Sequence, residues 1–192
     1  MNFKKNFKKI TALAAVMAMA LSMAACGADN AADNTDTAAE STSAAENAAE
    51  TAEILNFIPP EKGEKIAVMT VKDYGEIKIK LFPEAASKGV ENFIGLADMN
   101  YYDELIFHRV IPHFMDQGGD PQGTGMGGQS MWGGSFDGGI PEGLYHFSGA
   151  IAYANSGSTS TNGSQFYIVN TDEGECVSDV SSYPRNVQDM YK

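Results

Sequence analysis

Between Gly118 and Gly143, 11 of 26 residues are glycine, a density that neither a helix nor a strand tolerates. Glycine loses more backbone freedom on folding than any other residue. Such a stretch is therefore loop, placed where the chain needs positive φ or close backbone approach. It is also too long for a simple turn, and ordered loops of that length are where function concentrates. The fold has to be assembled from the segments on either side.

Upstream, Ile66 to Val71 is β-rich and Ile77-Lys78-Ile79-Lys80-Leu81 alternates strictly, with Asp73, Tyr74 and Gly75 between the two runs. That pattern predicts a β-hairpin with one wet face. Pro83 then opens a stretch in which Ala86, Val90, Phe93 and Ala97 recur at helical spacing, predicting an amphipathic helix that stops around Asn100. Leu105 to Ile111 and Phe114 to Gln117 read as two strands around a bend at Pro112. Downstream, Gly149 to Ala154 and Gln165 to Val169 read as two more strands, joined by a Ser/Thr/Asn-rich loop. One helix among many short strands predicts a mainly β fold, a barrel or rolled sheet.

The ends of the chain differ in kind from this middle. Lys4, Lys5, Lys8 and Lys9 precede an apolar run from Ile10 to Ala25, too short for the roughly 20 residues that span a bilayer. Residues 1–25 read as a signal peptide. Met23-Ala24-Ala25-Cys26-Gly27 is similar to a bacterial lipoprotein cleavage box, which would leave Cys26 lipidated at the new N-terminus. The alternative is an ordinary secretory signal with Cys26 incidental. From Cys26 to Glu53 the chain has ten Ala, seven acidic residues and no Lys or Arg. Too little apolar surface is available there for a core, so residues 26–60 are expected to be a solvated tether. The folded domain is expected over 61–170 and an irregular or helical tail over 171–192.

Several function classes fall away. A net charge of −12 argues against binding nucleic acid. Two cysteines, Cys26 and Cys176, exclude a disulfide scaffold and a four-cysteine zinc site. The run Gly123-Thr124-Gly125-Met126-Gly127-Gly128 matches a dinucleotide fingerprint in form only, because no helix start follows it. No hydrolase elbow is present. His108, His113 and His146 show no metal-ligand spacing, so no metal is expected and each reads as a surface or satisfied histidine.

Arg109 stands out. It is the only arginine among the first 184 residues of a chain that uses Lys eleven times. Placed in an apolar strand and sharing a face with Phe107 and Ile111, its guanidinium would offer a rigid fork of donors in partly dry surroundings. From the residues alone, a catalytic donor and a structural ion pair are equally good readings.

The runs Phe107-His108-Arg109-Val110-Ile111-Pro112, Phe114-Met115-Asp116-Gln117-Gly118-Gly119-Asp120-Pro121, Gly125-Met126-Gly127-Gly128 and Asn162-Gly163-Ser164-Gln165-Phe166-Tyr167 follow one another here. In order and spacing they resemble the cyclophilin family of peptidyl-prolyl cis-trans isomerases over about residues 66 to 170. The resemblance implies an antiparallel β-barrel capped by helices, action on X-Pro bonds and no cofactor. It puts Arg109 in the place of the catalytic arginine. Substrate-binding positions would be Phe107, Phe114, Met115, Gln117, Ala154, Asn155, Gln165, Phe166 and Tyr167. Tyr167 stands where phenylalanine is common, and Tyr153 where methionine is usual. After Val169 the family's Trp-Leu-Asp-Gly segment, a later strand and a C-terminal helix are not found, so the sequence reads as cut short, without its last strands. The expected protein is a monomeric folding assistant for exported polypeptides, held outside the cytoplasm on the membrane by lipid on Cys26. A proline-peptide binding module without turnover, or an inactive fragment, are the alternatives.

Overall fold

The computed structural model describes residues 2–3, 51–171 and 180–191. Cys26, Cys176, most of the expected signal peptide and the tether up to residue 50 lie outside the described residues.

Strands β1 (Asn2–Phe3), β2 (Ile66–Val71) and β3 (Gly75–Lys80) form an antiparallel sheet in that order. The hairpin expected from alternation is β2 and β3, in a register that pairs Ile66 with Lys80 and Val71 with Gly75. Asn2 and Phe3, inside the stretch read as a leader, pair with Thr70 and Met69 on the other edge of β2.

Helix α1 (Ser87–Asp98) follows, close to the expected span. It stops where Asn100 takes a left-handed φ of 58°. The Tyr101 N–H then reaches back to Leu96 O at 3.0 Å and the Asn100 N–H to Ala97 O at 3.1 Å, satisfying the last carbonyls in a Schellman turn. Phe93 and Leu96 press the buried face of α1 onto Met69 and Ile79 of the hairpin, with Tyr102 and Phe166 completing the core.

The second sheet holds β4 (Arg109–Ile111), β5 (Met115–Gly118), β6 (Ile151–Tyr153) and β7 (Phe166–Val169), in the spatial order β4-β5-β7-β6. β4 is shorter than expected: residues 105–108 approach it as irregular chain. Past Gly118, which ends β5, the glycine-rich stretch is loop apart from an isolated bridge between Phe136 and Asn162.

Where they are described, the expected tether is partly packed, unlike the sequence expectation, whereas the tail carries a helix, one of the two forms expected of it. Residues 52–58, inside the expected tether, pack with helix α2 (Arg185–Met190) and its neighbours. Val187 of α2 is fully buried, Tyr191 stacks on Phe147 at 4.7 Å, and Phe57 lies 5.0 Å from the same ring. The physical reason is local composition. Leu55, Phe57, Tyr183 and Tyr191 supply the apolar area that the Ala/Asp/Asn run before them lacks.

Candidate active site

The site is set by register. Arg109 of β4 sits opposite Gln117 of β5, Gln117 opposite Tyr167 of β7, and Tyr167 opposite Ala152 of β6. Directly opposed residues of antiparallel strands share a face, so these four form one row across the sheet. Two positions along, Ile111, Met115 and Val169 make a second, apolar row on the same face, with Met115 and Val169 buried. Phe114 stands 40% exposed at the bend before β5. Past the end of β6, the Ala154 N–H donates to Gln165 O at 3.0 Å. Asn155, exposed, donates from Nδ2 to Asn162 Oδ1 at 3.2 Å, at the foot of the Ser/Thr-rich loop.

Two expected substrate residues are not on this face. Phe166 precedes Tyr167 and points the opposite way, as neighbours in a strand must. It is 1% exposed and packs against Phe93 and Tyr102. Phe107, ahead of β4, lies edge-on to Phe166 at 6.4 Å and belongs to the same core. Sharing a motif with Arg109 and Tyr167 does not bring them to the groove.

A chain of polar groups runs along the row. Arg109 Nη1 donates to Gln117 Oε1 at 3.5 Å, and Gln117 Nε2 to Gln165 Oε1 at 2.8 Å. Gln165 Nε2 then donates to Gly125 O at 3.0 Å and Gly127 O at 2.7 Å. The glycine loop is thus fastened to the catalytic candidate by two amide side chains. The surroundings of Arg109 differ from expectation: the residue is exposed. β4 is an edge strand of three residues, and so short an edge cannot enclose a side chain as long as arginine. The site is an open shelf with a cationic rim and an apolar floor.

Residues that motif reading did not select hold the shelf in place. Asp120 is 1% exposed. Its Oδ1 accepts from the Gln122 N–H at 2.8 Å, and its Oδ2 from the N–H groups of Thr124, Gly125 and Gly127 at 2.9, 2.7 and 3.3 Å. Burial alone would raise its pKa, but these four donors outweigh it and hold the carboxyl at about 2. Gly127 has to be glycine here, since a Cβ would run into Asp120 Oδ1. Asn92 of α1 is fully buried and donates to Tyr153 Oη at 2.9 Å and Gly163 O at 3.0 Å, while its Oδ1 accepts from the Met131 N–H at 2.8 Å. It ties the helix to both loops that flank β6. A buried asparagine in an amphipathic helix was the signal available in sequence, but its partners lie 39 to 71 residues away.

Among the histidines, His113 is exposed as expected, and His108 departs from expectation. His146 is half-buried and stacks on Tyr167 at 6.0 Å, with burial lowering its pKa. His108 has both ring nitrogens buried without a hydrogen-bond partner, close beneath Gly125. It is neither a surface nor a satisfied histidine, because the core packing of Phe107 turns the neighbouring ring under the glycine loop. Among the described residues, no three His, Cys, Asp or Glu side chains group as a metal site. What the shelf offers chemically is a positive donor fork beside an apolar floor.

A family model described as "Cyclophilin type peptidyl-prolyl cis-trans isomerase/CLD" matches residues 66–180. Over 107 residues the chain is 53% identical to a "Putative bifunctional phosphatase/peptidyl-prolyl cis-trans isomerase" of Streptococcus pyogenes, covering 56% of this chain and 22% of that one. Over 113 residues it is 49% identical to a "Putative peptidyl-prolyl cis-trans isomerase" of Staphylococcus aureus, covering 59% of this chain and 56% of the relative. The chain therefore spans little more than half the length of these curated relatives at most. A crystal structure of a Cryptosporidium parvum cyclophilin type isomerase, solved in the presence of the dipeptide Ala-Pro, aligns with a TM-score of 0.53 at 31% identity, covering 67% of this chain and 85% of that one. A second structure of that protein aligns with a TM-score of 0.50 at 40% identity, over 54% of this chain and 66% of that one. The antiparallel sheets, the row carrying Arg109 and Gln117, and these matches agree: the chain belongs to the cyclophilin-type peptidyl-prolyl cis-trans isomerase family.

Proposed function

We propose that this chain isomerises X-Pro bonds in exported polypeptides, without a cofactor and with Arg109 as the catalytic donor. The observation that carries this reading is the row Arg109–Gln117–Tyr167 lying on one sheet face beside the apolar row of Ile111, Met115 and Val169. A prolyl ring rests on an apolar floor of that kind while its amide nitrogen faces the guanidinium.

The reaction breaks no covalent bond. Rotation about X-Pro meets a barrier of about 20 kcal/mol because the nitrogen lone pair is shared with the carbonyl. Twisting the bond returns that lone pair to nitrogen. A charged donor aimed there favours the twisted state over the planar one, which is differential binding of the transition state. An acceleration of about five decades would need about 7 kcal/mol. That exceeds what one hydrogen bond from an exposed arginine supplies. The floor that fixes the ring and the backbone at Ala154 and Asn155 share the task by holding one side of the bond still.

Attachment to the outer face of the membrane through Cys26 is part of the proposal and is supported by the lysine, apolar and small-residue order before that cysteine. The test uses the full chain in two assays. It should speed the cis-to-trans change of a short Ala-Pro peptide well above the uncatalysed rate, and cells expressing it should incorporate labelled palmitate that a Cys26→Ser variant does not. Peptide binding without any acceleration would replace the enzyme by a binding module, and an unlabelled, freely released chain would remove the anchor.

A further inference from the structure

The glycines that Asp120 gathers are the same ones that hold Gln165. Gly125 and Gly127 each give their N–H to Asp120 Oδ2, and each gives its carbonyl to Gln165 Nε2. Gln165 in turn orients Gln117, whose Oε1 faces Arg109. Asp120 itself lies outside the groove, 1% exposed and turned into its own loop. We infer that Asp120 is a positioning residue for the isomerisation: by holding the N–H groups of Gly125 and Gly127 it fixes where these two residues sit, places their carbonyls against Gln165, and so sets the position of Arg109. Its action on Arg109 rests on the function proposed above, whereas its hold on Gln165 does not.

The chemistry favours a carboxylate in this place. An ionised Asp offers only acceptors, and four backbone N–H groups converge on it with no cation needed. An Asn of the same shape would turn two donors toward some of those N–H groups. The loop would then relax, and the two carbonyls would lose their common aim at one amide nitrogen. Of the two flanking glycines, Gly127 is also constrained from the other side, since an added Cβ meets Asp120.

The test compares the full chain with Asp120→Asn, Gln165→Ala and the double variant. One readout is turnover of an Ala-Pro peptide, and the other is the side-chain amide signals of Gln117 and Gln165 by NMR. Asp120→Asn should lower kcat by roughly tenfold with KM little changed. In the Gln165→Ala background it should cost less than about twofold more, because residues acting through one another are not additive. The Gln165 amide signals should move toward those of a free glutamine, and the Gln117 signals should follow. Losses that simply multiply, or amide signals that stay in place, would overturn the inference. If the parent chain does not turn over peptide, the proposed function fails, while the amide signals still decide whether Asp120 positions Gln165. Should Asp120→Asn not fold, Gly127→Ala crowds the same carboxylate and must shift the same signals. A Gly127→Ala chain with unmoved Gln165 signals would count equally against the role.

Discussion

Asn186 and Ala52 hold each other across 134 residues of chain. The Ala52 N–H donates to Asn186 Oδ1 at 2.9 Å, and Asn186 Nδ2 returns a bond to Ala52 O at 2.8 Å. A side-chain amide thereby acts as a strand partner for Ala52, inside the expected tether, and α2 becomes a clip on the N-terminal side of the domain. Asn186→Ala removes both bonds, and each is worth about 0.5–1.5 kcal/mol. The variant should unfold at lower urea, by about 1–3 kcal/mol, and amides of residues 52–58 should exchange faster. Its Ala-Pro turnover should match the parent, because no residue of the row is touched.

Tyr153 fills the space left by a glycine in α1. Its hydroxyl donates to Gly89 O at 2.8 Å while accepting from Asn92, and a Cβ on Gly89 would lie 3.3 Å from its ring. In an exposed helix interior, Gly→Ala gains about 1 kcal/mol. Here Gly89→Ala should gain little in the parent and recover the full gain in a Tyr153→Ala background, as melting temperatures of the four proteins in the cycle would show. An equal gain in both backgrounds would mean that Tyr153 does not require the glycine.

Acid should loosen the glycine loop in a defined window. The Asp120 pKa is lowered from 3.8 to about 2 in the folded protein. A depressed carboxylate adds stability that is complete above its unfolded pKa and is lost as pH falls through the folded one. The contribution should therefore disappear between about pH 4 and pH 2. Denaturant midpoints across that range should fall for the parent, and the Asp120→Asn variant should show a shallower slope.

His146 gives a second, separate window. Burial against Tyr167 lowers its pKa below 6.5, so the unfolded chain takes up its proton first as pH falls. The folded state loses stability from about pH 6.5 downward, until His146 itself protonates. His146→Phe keeps a ring on Tyr167 and should flatten the melting temperature between pH 7 and pH 5. An unchanged slope would assign that dependence to other groups.

The local parts of this fold were legible in sequence. Strict alternation found β3, helical spacing found α1, and glycine density found the long loop, because each depends on residues within one or two turns of chain. The site was legible only as a set of motifs. Arg109, Gln117 and Tyr167 meet through the pairing of three strands whose spacing in sequence says nothing of register. The facing of Phe107 and Phe166 was missed for the same reason: a motif records which residues occur together, whereas a strand decides which side each one takes. Asp120 and Asn92 were passed over because most of their partners are backbone groups, which carry no residue type to recognise.

Arg109→Lys and Arg109→Ala, each measured for the cis-to-trans rate and the binding of an Ala-Pro peptide, test the account most directly. Lys keeps the charge but not the planar fork that donates to Gln117 and that, in the proposed mechanism, serves the prolyl nitrogen. Both variants should lose turnover by at least about 100-fold, near 2.7 kcal/mol of transition-state stabilisation, while peptide affinity changes by less than about threefold. Turnover at the parent rate in either variant would contradict Arg109 as the catalytic donor.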